Sequence, residues 1–415
     1  MRHLFKILGP GLLYAGAAIG VSHLVQSTRA GAMFGFDLVW VLLLANFIKY
    51  PFFEYGPRYA IATGKTLVDG YRNIGKWAVA LFALLTVVSM FIIQAAVTVV
   101  TVGLFAYIFN LTISITVLSI LLLVISLLIL LVGKYRLLDK LIKFIIVLLA
   151  ISTVVAVFAA LGIQHEIKPD SLINFEWTNA THILFLIAFI GWMPAPIDVS
   201  VWSSIWNLEK VEQLGYKPKL KSALLEFRIG YIGTALLAVG FVSLGALVIY
   251  GTGEELSSNG TVFSGQLITM YTTSIGKWAF WIISIAAFTT MFSTTITVLD
   301  AYPRVLNPVV KNLFNPRWKD NKWHNLSVIW LILMIIGASL IIAFAAKSMV
   351  HMVTIATVLS FLMAPILAWL NFKVVTDKHM PVDARPGLFL RTLSWLGISF
   401  FIGFTVFYLY WVLLV

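Results

Sequence analysis

The stretch that decides the fold runs from Gly9-Pro10-Gly11 through Gly20-Val21-Ser22-His23 to Ala30-Gly31-Ala32. It has a counterpart in Gly191-Trp192-Met193-Pro194-Ala195-Pro196-Ile197-Asp198. Each segment is apolar and long enough to enter a bilayer. Each is interrupted midway by Gly, Ser or Pro beside an ionisable side chain. Non-helical backbone at membrane depth is tolerated where it is buried in protein or lines a cavity. Interrupted helices at matching positions of two halves point to a transporter's binding site near the bilayer midplane.

Composition agrees. Of 415 residues, 60% are hydrophobic and 11% charged, and the mean hydropathy is +0.97. The runs 113–132 and 144–161 carry no charge and are long enough to span the hydrocarbon. Alternating strands of about ten residues are absent, which argues against a β-barrel. The expected class is therefore an all-α polytopic membrane protein, with the lipid bilayer as its surroundings. With no cysteine, the chain has no disulfide, thiolate metal site or iron–sulfur cluster. The net charge of +12 does not indicate a nucleic-acid partner, because the basic residues fall in short segments between apolar ones. The N-terminal Met1-Arg2-His3-Leu4-Phe5-Lys6 runs directly into the first span and reads as retained rather than cleaved. No cofactor is implied. Walker A, dinucleotide, HExxH and nucleophile-elbow motifs are absent, so neither an ATP-driven pump nor an enzyme is expected.

Eleven spans can be placed, centred near residues 18, 48, 95, 122, 150, 192, 240, 287, 335, 360 and 401. With the N-terminus in the cytoplasm, 24 of the 29 Lys and Arg residues fall on the cytoplasmic side. By the positive-inside rule this puts the N-terminus inside and the C-terminus outside; a multi-pass protein of the plasma (inner) membrane is expected. Spans one to five (about 7–163) and six to ten (about 181–373) form two repeats of a single transmembrane domain. Five is odd, so the second repeat enters with opposite polarity, giving a 5+5 inverted pair whose first members, helices one and six, are broken. The span near 388–413 is an addition. The loops at about 206–227, 252–274 and 301–324 read as amphipathic linkers at most.

Four stretches carry a family resemblance. Gly9-Pro10-Gly11 with Ala30-Gly31-Ala32-Met33-Phe34-Gly35 looks like the first helix of the Nramp divalent-metal transporters. Arg58-Tyr59-Ala60-Ile61-Ala62-Thr63-Gly64-Lys65 is similar to that family's second helix and following loop. Met193-Pro194 sits where the family has Met-Pro-His, and Phe292-Ser293-Thr294-Thr295-Ile296-Thr297 resembles its eighth helix. The resemblance implies a LeuT-like fold and secondary transport by alternating access, with a divalent transition metal as leading substrate. Counting back from Ala30-Gly31-Ala32, the family's Asp-Pro-Gly-Asn falls on Gly20-Val21-Ser22-His23. Its metal-binding Asp is thus Gly20 and its Asn is His23. Its Met-Pro-His becomes Met193-Pro194-Ala195, the acidic pair of its third helix falls on Val97 and Val100, and the Gln of its tenth helix falls on Thr357.

The residues themselves name a candidate site. His23, in the unwound centre of span one, offers an imidazole suited to transition metals. Asp198 follows the second break. It reads as a ligand or proton site, as a partner of His23, or as a partner of a backbone N–H at the start of the second half-helix. Met193 offers a soft thioether or simply fills the core. His23, Met193 and Asp198 are therefore the candidate metal ligands. Gly20, Val21, Ser22, Gln26, Gln94, Ile190, Ala195 and Thr357 complete the candidate substrate set. Ser293, Thr294, Thr295 and Thr297 read chiefly as helix–helix glue. Lys49 is expected to snorkel. Glu54–Arg58 and Asp300–Arg304 are expected as i,i+4 pairs. A non-metal small solute is the close rival as substrate, since a doubly charged ion wants a carboxylate that Gly20 lacks. Protons are a candidate coupling ion. A transport-inactive receptor or regulatory subunit is the alternative outside transport.

Overall fold

A computed structural model of the chain describes residues 10–132, 135–163, 167–314, 320–345 and 348–414. The described residues are helical, with no strand among them. The helices are α1 (Pro10–Ala18), a π-helical segment (Ser22–Ser27), α2 (Thr28–Phe34), α3 (Val39–Thr63), α4 (Leu67–Ile74), α5 (Lys76–Ile108), α6 (Ile115–Val132), α7 (Tyr135–Ala160), α8 (Ala180–Trp192), α9 (Val199–Leu214), α10 (Leu220–Val248), α11 (Gly260–Ile275), α12 (Phe280–Phe314), α13 (Asp320–Ala345), α14 (Met349–Thr376) and α15 (Leu388–Leu414).

Seven stretches, 76–108, 115–132, 220–248, 277–314, 322–344, 349–376 and 388–411, are long and apolar enough to cross a bilayer unaided. The eleven spans follow when four more are added. These are α3, which carries Lys49, Glu54 and Arg58; α7, which is basic at its start; and the two broken spans α1–α2 and α8–α9. The loop at 252–274, expected as a linker, instead contains α11. Asn259 caps that helix by accepting from the amides of Thr261 and Val262, and one face packs on α5 and α7. The other two linkers are also partly helical, since α9 runs to Leu214 and α12 to Phe314.

The packing has the symmetry of an inverted repeat. Span one (α1–α2) packs on span seven (α10), and span six (α8–α9) packs on span two (α3). Span ten (α14) lies on span three (α5) as span five (α7) lies on span eight (α12), while spans three and eight meet each other. Glycines permit both crossings of the broken spans. A Cβ on Gly31 would lie 1.9 Å from Val242 O, and one on Gly245 would lie 2.3 Å from Thr28 O. At the mirrored crossing a Cβ on Gly56 would lie 2.2 Å from Ser200 O. Small residues let backbones approach this closely where lipid supplies no hydrophobic drive.

Candidate functional site

The first break is a bend at Ile19-Gly20, after which the chain re-enters a helix through the π-helical turn Ser22–Ser27. His23 therefore lies on a π-turn and not in an unwound centre. Carbonyls at the bend find side-chain donors: Ser22 Oγ donates to Ala18 O (2.8 Å) and Thr294 Oγ1 of α12 to Ile19 O (3.3 Å). The second break is longer. Helix α8 ends at Trp192, and Met193 to Asp198 cross to α9 with only short turn bonds at the two ends. Two prolines, Pro194 and Pro196, remove donors there.

Lys49 satisfies the second break. Its ammonium, fully buried at the middle of α3, donates to the carbonyls of Ile190 (2.6 Å), Gly191 (2.8 Å) and Ala195 (3.2 Å). The expectation that Lys49 snorkels is thus corrected. It is the eleventh residue of a 25-residue helix, about 15 Å from that helix's start at 1.5 Å per residue, and it turns inward to the freed carbonyls.

Between the two breaks lies a cavity of about 30 Å³, room for about two waters. Gly20, Val21 and Ser22 line it from the first break and Trp192, Ala195 and Pro196 from the second. Ile93 and Val97 (α5), Val199 and Trp202 (α9), and Thr294 and Val298 (α12) close it, with Ala17 and Ala18 at the end of α1. No lining side chain is ionisable. The Trp192 indole donates to Ser360 Oγ (2.7 Å), which fixes its plane against the cavity.

The predicted residues divide accordingly. Gly20, Val21, Ser22 and Ala195 line the cavity, whereas His23, Gln26, Gln94, Ile190, Met193, Asp198 and Thr357 do not. His23 faces α10: Nε2 meets Thr234 O (3.0 Å) and Nδ1 meets Ser22 Oγ (2.8 Å). A carbonyl only accepts, so Thr234 O assigns a proton to Nε2, while Nδ1 lies against Ser22 Oγ, whose single hydrogen is directed at Ala18 O. Asp198 stands at the start of α9. Its Oδ2 accepts from Tyr302 OH (3.1 Å), and Oδ1 is buried without a hydrogen bond. Of the roles left open for Asp198, the structure places it at the half-helix N-terminus and against Tyr302, and not on His23. Met193 is wholly buried. Gln94 donates to Thr98 and to Thr295 O, and Thr101 pairs with Thr295 (2.7 Å), so these groups join α5 to α12. Thr357 bonds within its own helix. Among the described residues no group of three or more His, Cys, Asp or Glu side chains could hold a metal ion.

Two ion networks tie helices together. Glu54, fully buried, accepts from Arg58 (2.5 Å), Arg228 of α10 (3.2 Å) and Tyr50. Arg304 binds Asp300 (2.7 Å) and reaches Glu209 of α9. Both i,i+4 pairs are present, and each also reaches a second helix.

A family model described as natural resistance-associated macrophage protein-like (Nramp) matches residues 11–411. The chain belongs to the Nramp family. An uncharacterized protein of Pasteurella multocida is 37% identical to this Nramp chain, over 98% of it and 92% of that protein. The metal transporter Nramp6 of Arabidopsis thaliana is 23% identical over 98% of this chain and 77% of that one. A crystal structure of a manganese transporter of Eremococcus coleocola superposes with a TM-score of 0.71 at 13% identity, covering 98% of this chain and 86% of that one. The fold of this Nramp chain is accordingly LeuT-like. Sequence reasoning had not singled out Trp192, Trp202, Tyr302 or the inward turn of Lys49. The available signal for Lys49 was its depth in α3.

Proposed function

We propose that this chain is a secondary-active transporter that exposes one substrate site, the cavity between the breaks of spans one and six, to each side of the membrane in turn. The observation that carries the reading is that both breaks line one small cavity at the meeting of the two repeats. The ion networks at Glu54 and Arg304 would close the cytoplasmic side. The excess of basic residues on one set of loops supports a cytoplasmic N-terminus and an external C-terminus. Family membership, the Arabidopsis metal transporter and the fold of the manganese transporter support a divalent transition-metal ion as substrate. Its donors would be break carbonyls and Ser22, with Met193, Asp198 and His23 recruited on rearrangement. Protons remain the proposed coupling ion.

A second reading, a non-metal small solute, is favoured by one specific observation. The lining is mostly apolar, with two indoles, and Lys49 occupies three carbonyls of the second break. Calorimetric titration with Mn²⁺, Zn²⁺ and Mg²⁺ decides between the two. Saturable binding by the wild type, lost in a folded Val97→Phe variant that fills the cavity, supports the metal. No binding by the wild type eliminates it and leaves the solute.

A further inference from the structure

An ammonium in the middle of a membrane domain needs a reason. Burying a lone charge costs several kcal/mol unless neighbouring groups replace its water. Lys49 meets that condition fully. An ammonium has three N–H donors and no acceptor, and the carbonyls of Ile190, Gly191 and Ala195 take all three. Two of these carbonyls belong to the last turn of α8, where the helix dipole favours a cation. Asp198 stands at the opposite lip of the same break, at the start of α9. Main-chain oxygens converging on a single charge are what a hard monovalent cation requires.

We propose that the unwound stretch of span six is a cation cage whose cation this chain supplies itself, as the tethered ammonium of Lys49. The cage holds Ile190 to Ala195 in one geometry without drawing an ion from solution. Because Ala195 also lines the cavity, the cage sets the shape of the cavity wall. Freed of its ammonium, the cage becomes a site for a small free cation, and potassium and methylammonium match an ammonium best in size and charge. The inference concerns the cage alone and does not depend on what the transporter carries.

The test compares wild type, Lys49→Ala and Lys49→Gln in detergent. Thermal unfolding is followed by tryptophan fluorescence in choline chloride and then with increasing KCl, NaCl or methylammonium chloride at constant ionic strength. Wild type is expected to be indifferent. Both variants should unfold earlier in choline and recover by several degrees, saturably, with potassium or methylammonium, as linkage to a site present only in the folded state requires. Gln keeps two N–H donors, so Lys49→Gln separates charge from hydrogen bonding. If Lys49→Gln matches wild type in choline, or if neither variant responds to any cation, Lys49 is a hydrogen-bonding and packing residue only. Variants that can be purified only with potassium or methylammonium present would support the cage. Variants that fail in every buffer would overturn it.

Discussion

Replacing Gly20 by Ala tests how tightly the first break is set against α12. A Cβ at Gly20 would lie 2.9 Å from both Cγ2 and Oγ1 of Thr294, closer than real contacts allow. Thr294 has little freedom to retreat. It is buried, and its hydroxyl bonds Thr290 O (3.0 Å) and Ile19 O (3.3 Å). Overpacking of this kind costs about 1–3 kcal/mol, and giving up a hydroxyl bond adds about 1 kcal/mol. Loss of glycine's freedom in the unfolded chain returns about 0.4–1 kcal/mol. The net expectation is a destabilisation of about 1–3 kcal/mol on these terms. Thr294→Ala removes both clashing atoms, so Gly20→Ala should cost almost nothing in that background. The cycle then shows a coupling of about 1–3 kcal/mol, in the range for residues in contact. Denaturant unfolding of the four proteins in detergent, with uptake measured on the same samples, reads both stability and function. Strict additivity, with Gly20→Ala equally costly in the Thr294→Ala background, would refute the reasoning.

Other expectations follow from the same contacts. Tyr302→Phe removes the hydroxyl that donates to Asp198 and should cost about 1.5–3 kcal/mol, as for hydrogen bonds to charged groups. Unfolding unchanged within error would mean the bond is absent in the membrane protein. Glu54→Gln leaves the buried Arg58 without its carboxylate and should cost about 3–5 kcal/mol, seen as a large drop in the thermal midpoint. Glu209→Gln breaks a half-exposed pair with Arg304 worth about 0–1 kcal/mol. Its effect should therefore appear in access from the cytoplasmic side and not in stability. Gly31→Ala places a Cβ against the Val242 carbonyl and should prevent close packing of α2 on α10, so that the variant fails to accumulate as folded protein.

The spans, their order and the existence of two breaks could be read from the sequence because they depend on local composition. Apolar runs, glycine, proline and loop charge act over short distances along the chain. The inner surfaces could not be read in this way. His23 was legible as a buried ionisable group, but its direction is set by Thr234 O, which lies 211 residues away. Asp198 was legible as a charge at a helix start, while Tyr302 comes from another helix, 104 residues along the chain. Lys49 resembled a residue that reaches for the interface until its depth in α3 was counted. The π-turn at Ser22–Ser27 has no periodic signature to separate it from an α-helix, so the first break was placed a few residues too late. Trp192 and Trp202 read as ordinary apolar positions, because a cavity wall and a core wall have the same composition.

The central claim is that the cavity between the two breaks opens to each side of the membrane in turn. The chain contains no cysteine, so one cysteine at Val97, which lines that cavity, can report access without background. The deciding measurement is the labelling of Val97→Cys in proteoliposomes of known orientation, with a membrane-impermeant thiol reagent supplied from one side at a time. Alternating access predicts modification from both sides, and faster cytoplasmic modification when Glu209→Gln loosens the tie to Arg304. Modification from one side only, or from neither, would contradict the account.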